Sequence, residues 1–362
     1  MDGANHDDST MEIAEVSVQK DQFSYTSIFS LQQETIPLER VGSGACRSVN
    51  EFDKIRKLGE GTYGIVYEGL DKVTGEKVAL KQVRLDMKKE GVSISVIREI
   101  HSLMDIEHEN IVRLFDCAVG KKIHKIFLVM EYCNQDLASL LDNMQSPSQS
   151  HKSNVFCCNF LKLMIDPFLN TVDSGLNHLH KSFLIHRDIK VSNLLLTDNG
   201  VLKIADFGLA RLFGDPPTEM TPRVVTLWYR SPELLFGSKF QSTPIDMWAC
   251  GCILGELLLH KPLLPGRDEI DQVRKIIHLL GTPTERIWPG LSKLTLICFP
   301  NSPPECIDLL NRLFAYDPAR RATAAECLDS DYLNTSPLPC DPSMMPSLTG
   351  LTRKSRKRVN AE

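Results

Sequence analysis

Five short motifs, fixed in order, restrict what this chain of 362 residues can become. Leu58-Gly59-Glu60-Gly61-Thr62-Tyr63-Gly64-Ile65-Val66 comes first, then Val78-Ala79-Leu80-Lys81. His186-Arg187-Asp188-Ile189-Lys190-Val191-Ser192-Asn193, Asp206-Phe207-Gly208 and Ser231-Pro232-Glu233 follow much later. Singly, each has a plain reading: a flexible turn, a solvated lysine, a polar turn with local caps. Jointly, in order and suitably spaced, they do not.

The glycines at 59, 61 and 64 are weak evidence alone, because the same string marks dinucleotide-binding folds. Such a fold needs a helix directly after the glycines. Here the β-branched run Ile65-Val66-Tyr67 follows, then Asp71-Lys72-Val73-Thr74-Gly75, a turn by composition, and a second strand pattern over Lys77–Val83. Residues 91–104 carry helical spacing, with Ile94, Ile97, Ile100 and Leu103 on one side. That spacing puts Glu99 on a different face from Ile97 and Ile100, so it need not face the core. Strands are expected at Ile111–Cys117 and Ile126–Met130, and helix formers dominate beyond Asp136. The implied class is α+β and bilobal: a small β-rich lobe over 51–133 with one helix, and a larger helical lobe over 134–332. Residues 1–50 read as a mostly disordered leader and 333–362 as a tail.

Composition removes several alternatives. A net charge of −5 gives no reason to expect direct nucleic-acid binding. The 11 cysteines include no C-x-x-C pair, which suits neither zinc ligation nor a secreted disulfide framework, and idle thiols in a reducing compartment are expected. The apolar run Ala249–Leu259 is too short for a membrane span and contains Glu256. With no signal pattern at the N-terminus, an intracellular, soluble protein is expected. The tail packs basic residues densely over Arg353-Lys354-Ser355-Arg356-Lys357-Arg358, which reads equally as a solvated end or as a nuclear-import or nucleic-acid patch.

As chemistry, the motifs form a set for phosphoryl transfer, where catalysis is mostly positioning and charge neutralisation. Backbone without Cβ at Gly59, Gly61 and Gly64 approaches phosphates closely and offers amide donors. Lys81 is placed to grip the phosphates of ATP, with Glu99 as its ion-pair partner. Asp188 is the candidate base for a substrate hydroxyl, Lys190 steadies the transferred phosphate, and Asn193 with Asp206 supplies hard oxygen ligands suited to Mg2+. The residues read as an ATP-dependent protein kinase.

Further strings carry a family resemblance: Asp136-Leu-Ala-Ser-Leu-Leu141, Val225-Thr-Leu-Trp-Tyr-Arg230, Ile245-Asp-Met-Trp248 and Lys261-Pro-Leu-Leu-Pro-Gly266. From about Val49 to Asp331 the chain resembles the cyclin-dependent protein kinases. The resemblance implies ATP between two lobes, a Ser/Thr-Pro substrate preference, a cyclin partner (M type, from the member most resembled), an upstream activating kinase, and work in cell-cycle or transcription control in the nucleus. It also implies that Leu58, Val66, Ala79 and Leu195 sandwich adenine, Met130 is the gatekeeper, Glu131 and Cys133 form the hinge, and Asp136 touches ribose. Ser93–Glu99 occupies the cyclin-docking helix, without the proline expected at position 93. Thr221 matches an activating phosphothreonine, with Arg98, Arg187 and Arg211 as its receptor, and Thr62 and Tyr63 match inhibitory phosphosites. Glu233 and Arg321 match a buried ion pair, Ser231 replaces a usual alanine without expected consequence, and Asp246 and Trp248 match structural anchors.

Two stretches depart from the family pattern. Between Met144 and Leu179 the chain is longer, and Pro167 interrupts an expected helix; after Leu294 it is shorter. These departures favour one alternative function, a catalytically impaired cyclin-binding scaffold. The presence of Lys81, Glu99, Asp188, Asn193 and Asp206 speaks against it.

Overall fold

The computed structural model describes residues 22–26, 33–37, 47–61, 64–83, 94–104, 106–120, 126–143, 165, 168–171, 174–214, 216, 218–221, 224–281 and 302–334. Thr62, Tyr63, Ser93, Pro167, the basic tail and the shortened stretch after Leu294 lie outside these residues.

The β-branched runs assemble as one sheet. In chain order the first strands are β1 (Gln22–Thr26), β2 (Gln33–Pro37), β3 (Arg47–Ser48), β4 (Phe52–Gly61), β5 (Gly64–Asp71) and β6 (Lys77–Val83). Helix α1 (Ile94–Met104) follows, then β7 (Leu114–Val119) and β8 (Ile126–Glu131). β3 to β8 form a six-stranded sheet in the order β3-β7-β8-β6-β5-β4, antiparallel except that β3 runs parallel to β7. β4 and β5 meet at Gly61 opposite Gly64, where Gly64 has φ +155° and a Cβ would lie 2.0 Å from the Gln82 carbonyl oxygen. Only glycine fits there.

The stretch expected to be a disordered leader contains structure. β1 pairs antiparallel with β2, and β3 joins the main sheet, so the sheet begins upstream of Glu51. The cause is Arg47. Its guanidinium forks onto Asp71 at 2.6 and 2.8 Å, reaches Glu51 at 2.9 Å and stacks 4.4 Å over the Phe52 ring. The strand expected at Ile111–Cys117 is displaced to Leu114–Val119, because Ile111 instead bridges to Ile204 at the junction with the helical lobe.

The orientation expected for α1 needs correction. Val96, Glu99 and Leu103 are buried, Ile97 and Ile100 only half-buried, and Glu99 is 1 % exposed. A charge outranks the isoleucines for the interior here because it has a buried partner of opposite sign, described below.

The helical lobe is built around α4 (Pro244–Leu259), which follows α2 (Leu137–Asn143) and α3 (Pro232–Leu235). α4 is apolar nearly all round and buried from Ile245 to Leu257, as a central helix must be. Its Trp248 meets Phe314 edge to face at 5.1 Å, and of the two acids buried along it, Asp246 and Glu256, the second accepts from the Tyr229 hydroxyl at 2.7 Å. α5 (Glu269–Leu280), α6 (Pro304–Leu313) and α7 (Ala324–Leu328) complete the lobe. Around Pro167, residues 168–171 and 174–181 are helical. Among the described residues no helix is long and apolar enough to cross a membrane.

Candidate active site

Strand register brings the first motifs together. Val66 faces Lys81 across β5 and β6, and Ala79 faces Met130 across β6 and β8. Below them, β10 (Leu194–Leu196) pairs with β9 (Gln135–Asp136) and β11 (Leu202–Ile204), which sets Leu195 opposite Asp136. One cleft between the lobes takes in Gly59, Gly64, Val66, Ala79, Lys81, Glu99, Met130, Glu131, Asp136 and Leu195 on one side of the chemistry, with Asp188, Lys190, Asn193 and Asp206 on the other. Leu58, half-buried at a register shift of β4, and Cys133, half-buried against the core, are not part of that lining. Asp136 is engaged locally: its carboxylate caps α2, accepting from the Ser139 amide at 2.7 Å and hydroxyl at 2.6 Å.

Lys81 is the electrostatic centre of the upper wall. Its ammonium lies 2.7 and 2.9 Å from the Glu99 carboxylate and 3.2 Å from Asp206. Burial disfavours its charge, but the two carboxylates outweigh burial and hold its pKa above the ordinary lysine value. Asp206 also resists burial. The neighbouring Lys81 keeps its carboxyl below the usual range, and its backbone is left-handed, with φ 69°.

The lower wall centres on Asp188. Lys190 donates to its Oδ2 at 2.7 Å, Asn193 Nδ2 to its Oδ2 at 3.0 Å and to its backbone carbonyl at 2.8 Å, and the Thr226 hydroxyl to its Oδ1 at 3.1 Å. Lys190 also reaches Thr226 Oγ1 at 3.2 Å. With the Asn193 amide nitrogen committed to Asp188, its carbonyl oxygen is left for the cleft. Thr226 was not singled out in the sequence. Its nearest signal is its place in Val225-Thr-Leu-Trp-Tyr-Arg230.

The loop bearing Asp188 is held from behind. Asp246 accepts from the His186 and Arg187 amides, both at 2.9 Å, and from His180 Nε2 at 3.0 Å. His186 Nδ1 accepts from the Asp188 amide at 3.2 Å, which leaves its Nε2–H to donate to the Ala205 carbonyl at 3.1 Å. Burial holds this ring's pKa below the ordinary histidine value, so it stays neutral.

Arg187, with φ 65°, is nearly buried. It donates to the Leu209 carbonyl at 2.9 Å and to Gln241 Oε1 at 2.9 Å. Burial, then repulsion from Arg211 and Arg98, pulls its pKa down to about 10, so the charges of both other expected arginines reach it. Thr221 is exposed, and its carbonyl accepts from Gln241 Nε2 at 2.8 Å. At the far end of this segment Arg321 forks onto Glu233 at 2.7 and 3.0 Å and lies 5.0 Å over the Trp248 ring, the ion pair expected.

Among the described residues no cluster of three or more His, Cys, Asp and Glu side chains forms a metal cage. The donor set instead fits Mg2+ bound with a nucleotide, for which Asp206 and Asn193 would offer oxygen ligands. The open side of Gly59, where a Cβ would meet nothing within 4 Å, would leave its backbone accessible to phosphates.

The protein kinase domain matches residues 52–333. Cyclin-dependent kinase 10 of Mus musculus is 50 % identical over 97 % of this chain and 98 % of its own length. The Homo sapiens protein of that name is 52 % identical, with 86 % and 88 % covered. This chain belongs to the cyclin-dependent protein kinase family. The kinase is also 42 % identical to Homo sapiens cyclin-dependent kinase 11B, over 91 % of this chain and 42 % of that protein. It is therefore a Ser/Thr protein kinase, with the β-sheet lobe and helical lobe of that fold.

Proposed function

We propose that this kinase transfers phosphate from ATP to Ser or Thr followed by Pro, under control of a cyclin and of phosphorylation at Thr221. The observation that carries the chemistry is the Asp188 carboxylate, held by Lys190, Asn193 and Thr226 at the floor of the cleft under Lys81 and Asp206. Asp188 orients the substrate hydroxyl and takes its proton, while Lys190 offers its ammonium to the charge that develops beside it. Lys81, held by Glu99, grips phosphate oxygens. Mg2+-ATP, when bound to Asp206 and Asn193, supplies the phosphoryl group and neutralises its charge.

Preference for proline is supported by Val225 and Arg230. Val225 is left-handed, with φ 67°, and its carbonyl accepts from Arg230 at 3.0 and 3.3 Å. A substrate residue docked beside it finds that acceptor occupied, so an N–H there loses a hydrogen bond, whereas proline has none to lose. Arg187, joined to the Thr221 carbonyl through Gln241 and within reach of the Arg98 and Arg211 charges, supports the phosphoswitch, and an upstream kinase would deliver that phosphate.

The cyclin we propose is of the M type, docked on α1, and the setting is cell-cycle or transcription control in the nucleus. Purified chain with an M-type cyclin is expected to phosphorylate a Ser-Pro peptide and to lose activity at least about a thousandfold in Asp188→Asn. A Ser-Ala peptide should be at least about tenfold poorer; equal rates on both peptides remove the proline preference. Deleting 352–362 tests nuclear delivery, which fails as an idea if the distribution in cells is unaltered.

A further inference from the structure

Behind Thr221 lies a contact that the chemistry above does not use. Residues 219–221 lie along 239–241 as a short antiparallel pairing. Glu219 bridges Phe240, and the Met220 amide donates to the Lys239 carbonyl at 2.8 Å. Lys239 adds a salt bridge to Glu219 at 3.1 Å, with both side chains exposed. At the inner end stands Gln241, a polar side chain only 5 % exposed. Its Nε2 donates to the Thr221 carbonyl at 2.8 Å, and its Oε1 accepts from Arg187 Nη1 at 2.9 Å. One amide joins the threonine to the central arginine. No phosphate is needed for this link.

A buried amide is tolerated only when its hydrogen bonds are made, and both of these are made to groups of the proposed switch. Arg187 is in turn fixed by its amide to Asp246 and its Nε to the Leu209 carbonyl. The threonine is thereby tied, through Gln241 and Arg187, to the loop that carries Asp188.

We propose that Gln241 is a positioning residue that docks the Thr221 stretch against Arg187 before phosphorylation. This rests on the phosphoswitch reading above. Unphosphorylated kinase keeps part of the active arrangement because the amide holds it. A phosphate on Thr221 then supersedes the amide, since charge-assisted bonds from guanidinium to phosphate are roughly twice as strong as neutral ones. Gln241 therefore sets how much of the switch phosphate must supply.

The test uses the full chain with an M-type cyclin, in phosphatase-treated form and in a form phosphorylated at Thr221 to completion by mass spectrometry. Gln241→Leu keeps the volume and removes both bonds. Hydrogen exchange in the peptide over 218–221 is expected to speed about tenfold in the unphosphorylated variant and to stay within about twofold of wild type once phosphorylated. Activity on a Ser-Pro peptide should follow, so that phosphorylation activates the variant about five- to tenfold more than wild type. Gln241→Glu keeps an acceptor for Arg187 but loses the donor to Thr221, and must match Gln241→Leu in exchange; wild-type exchange in it overturns the bridge. Equal loss in both phosphorylation states, with a parallel fall in Tm, reveals a merely structural residue and also overturns the proposal. Thr221→Ala on wild type separates the two readings. If it leaves activity unchanged the phosphoswitch is lost, while the exchange result still decides the docking role of Gln241.

Discussion

The Thr226 hydroxyl donates to Asp188 Oδ1 at 3.1 Å while Lys190 bonds both, at 2.7 Å to the carboxylate and 3.2 Å to the hydroxyl. The three side chains form a closed triangle. Thr226 on Oδ1, opposite Lys190 and Asn193 on Oδ2, fixes the rotation of the Asp188 carboxylate. Thr226→Ala is expected to lower kcat about ten- to a hundredfold with peptide KM changed less than about threefold, and Thr226→Ser to recover most of the loss. Steady-state kinetics decide it; a change confined to KM assigns Thr226 to substrate binding instead.

Asp246 receives two backbone amides and a histidine with no exposed surface to spare. Asp246→Asn leaves one acceptor oxygen where two are needed and turns an NH2 toward a backbone N–H. Unfolding in urea should show a loss of about 3 kcal/mol or more. A loss under about 1 kcal/mol shows that the loop relaxes around the amide.

Arg47 and Asp71 give an acid-sensitive clasp. The Arg47 hydrogen bonds lower the Asp71 pKa to about 2, below the ordinary value near 3.9. A depressed carboxyl stabilises the fold when ionised. The contribution is complete above about pH 5 and is lost as pH falls from 4 toward 2. Arg47→Ala is expected to destabilise by about 1–2 kcal/mol at pH 7, with the gap to wild type narrowing below pH 4. Urea midpoints measured from pH 7 to pH 3 check the trend, and a gap independent of pH excludes the clasp as its source.

Ser231 was expected to be a harmless exchange for alanine. Its hydroxyl is fully buried and has no hydrogen-bond partner among the described residues. An unpartnered buried hydroxyl costs about 1–3 kcal/mol, so Ser231→Ala is expected to raise Tm by about 2–4 °C. Calorimetry showing a lower Tm would mean that the hydroxyl has a bond in solution.

Cys133 sits at the expected hinge, and burial, then the Glu131 carboxylate, pushes its thiol up to about 12. Its thiolate fraction at pH 8 is about a thousandfold below that of an ordinary cysteine. Iodoacetamide should label it correspondingly slowly in the folded kinase, with a rate that rises about tenfold per pH unit through pH 10. Labelling at the rate of the unfolded chain at pH 8 refutes the burial argument.

What the sequence disclosed divides along a physical line. Lys81, Asp188, Asn193 and Asp206 were legible because each is locked to its motif by local spacing, and the β-branched runs around the glycines announced their strands. Glu99 was identified as the partner of Lys81, yet its burial was missed, since apolar periodicity carries no information about a charge that is matched across the core. Thr226 and Gln241 are ordinary polar residues in sequence, and their weight comes from contacts to Asp188, Thr221 and Arg187 that only folding creates. β3 was missed for a similar reason: two residues have no periodicity, and a side-chain fork to Asp71 places them.

The segment between Asp206 and Glu233 is pinned at both ends by arginines, Leu209 by Arg187 and Glu233 by Arg321. A cord fastened at two points cannot give slack at either end when it is pulled between them. Thr226, where that segment touches Asp188, therefore lies between two fixed points of the same backbone. The proposed switch at Thr221 and the contact to Asp188 thus belong to one length of chain anchored on both sides.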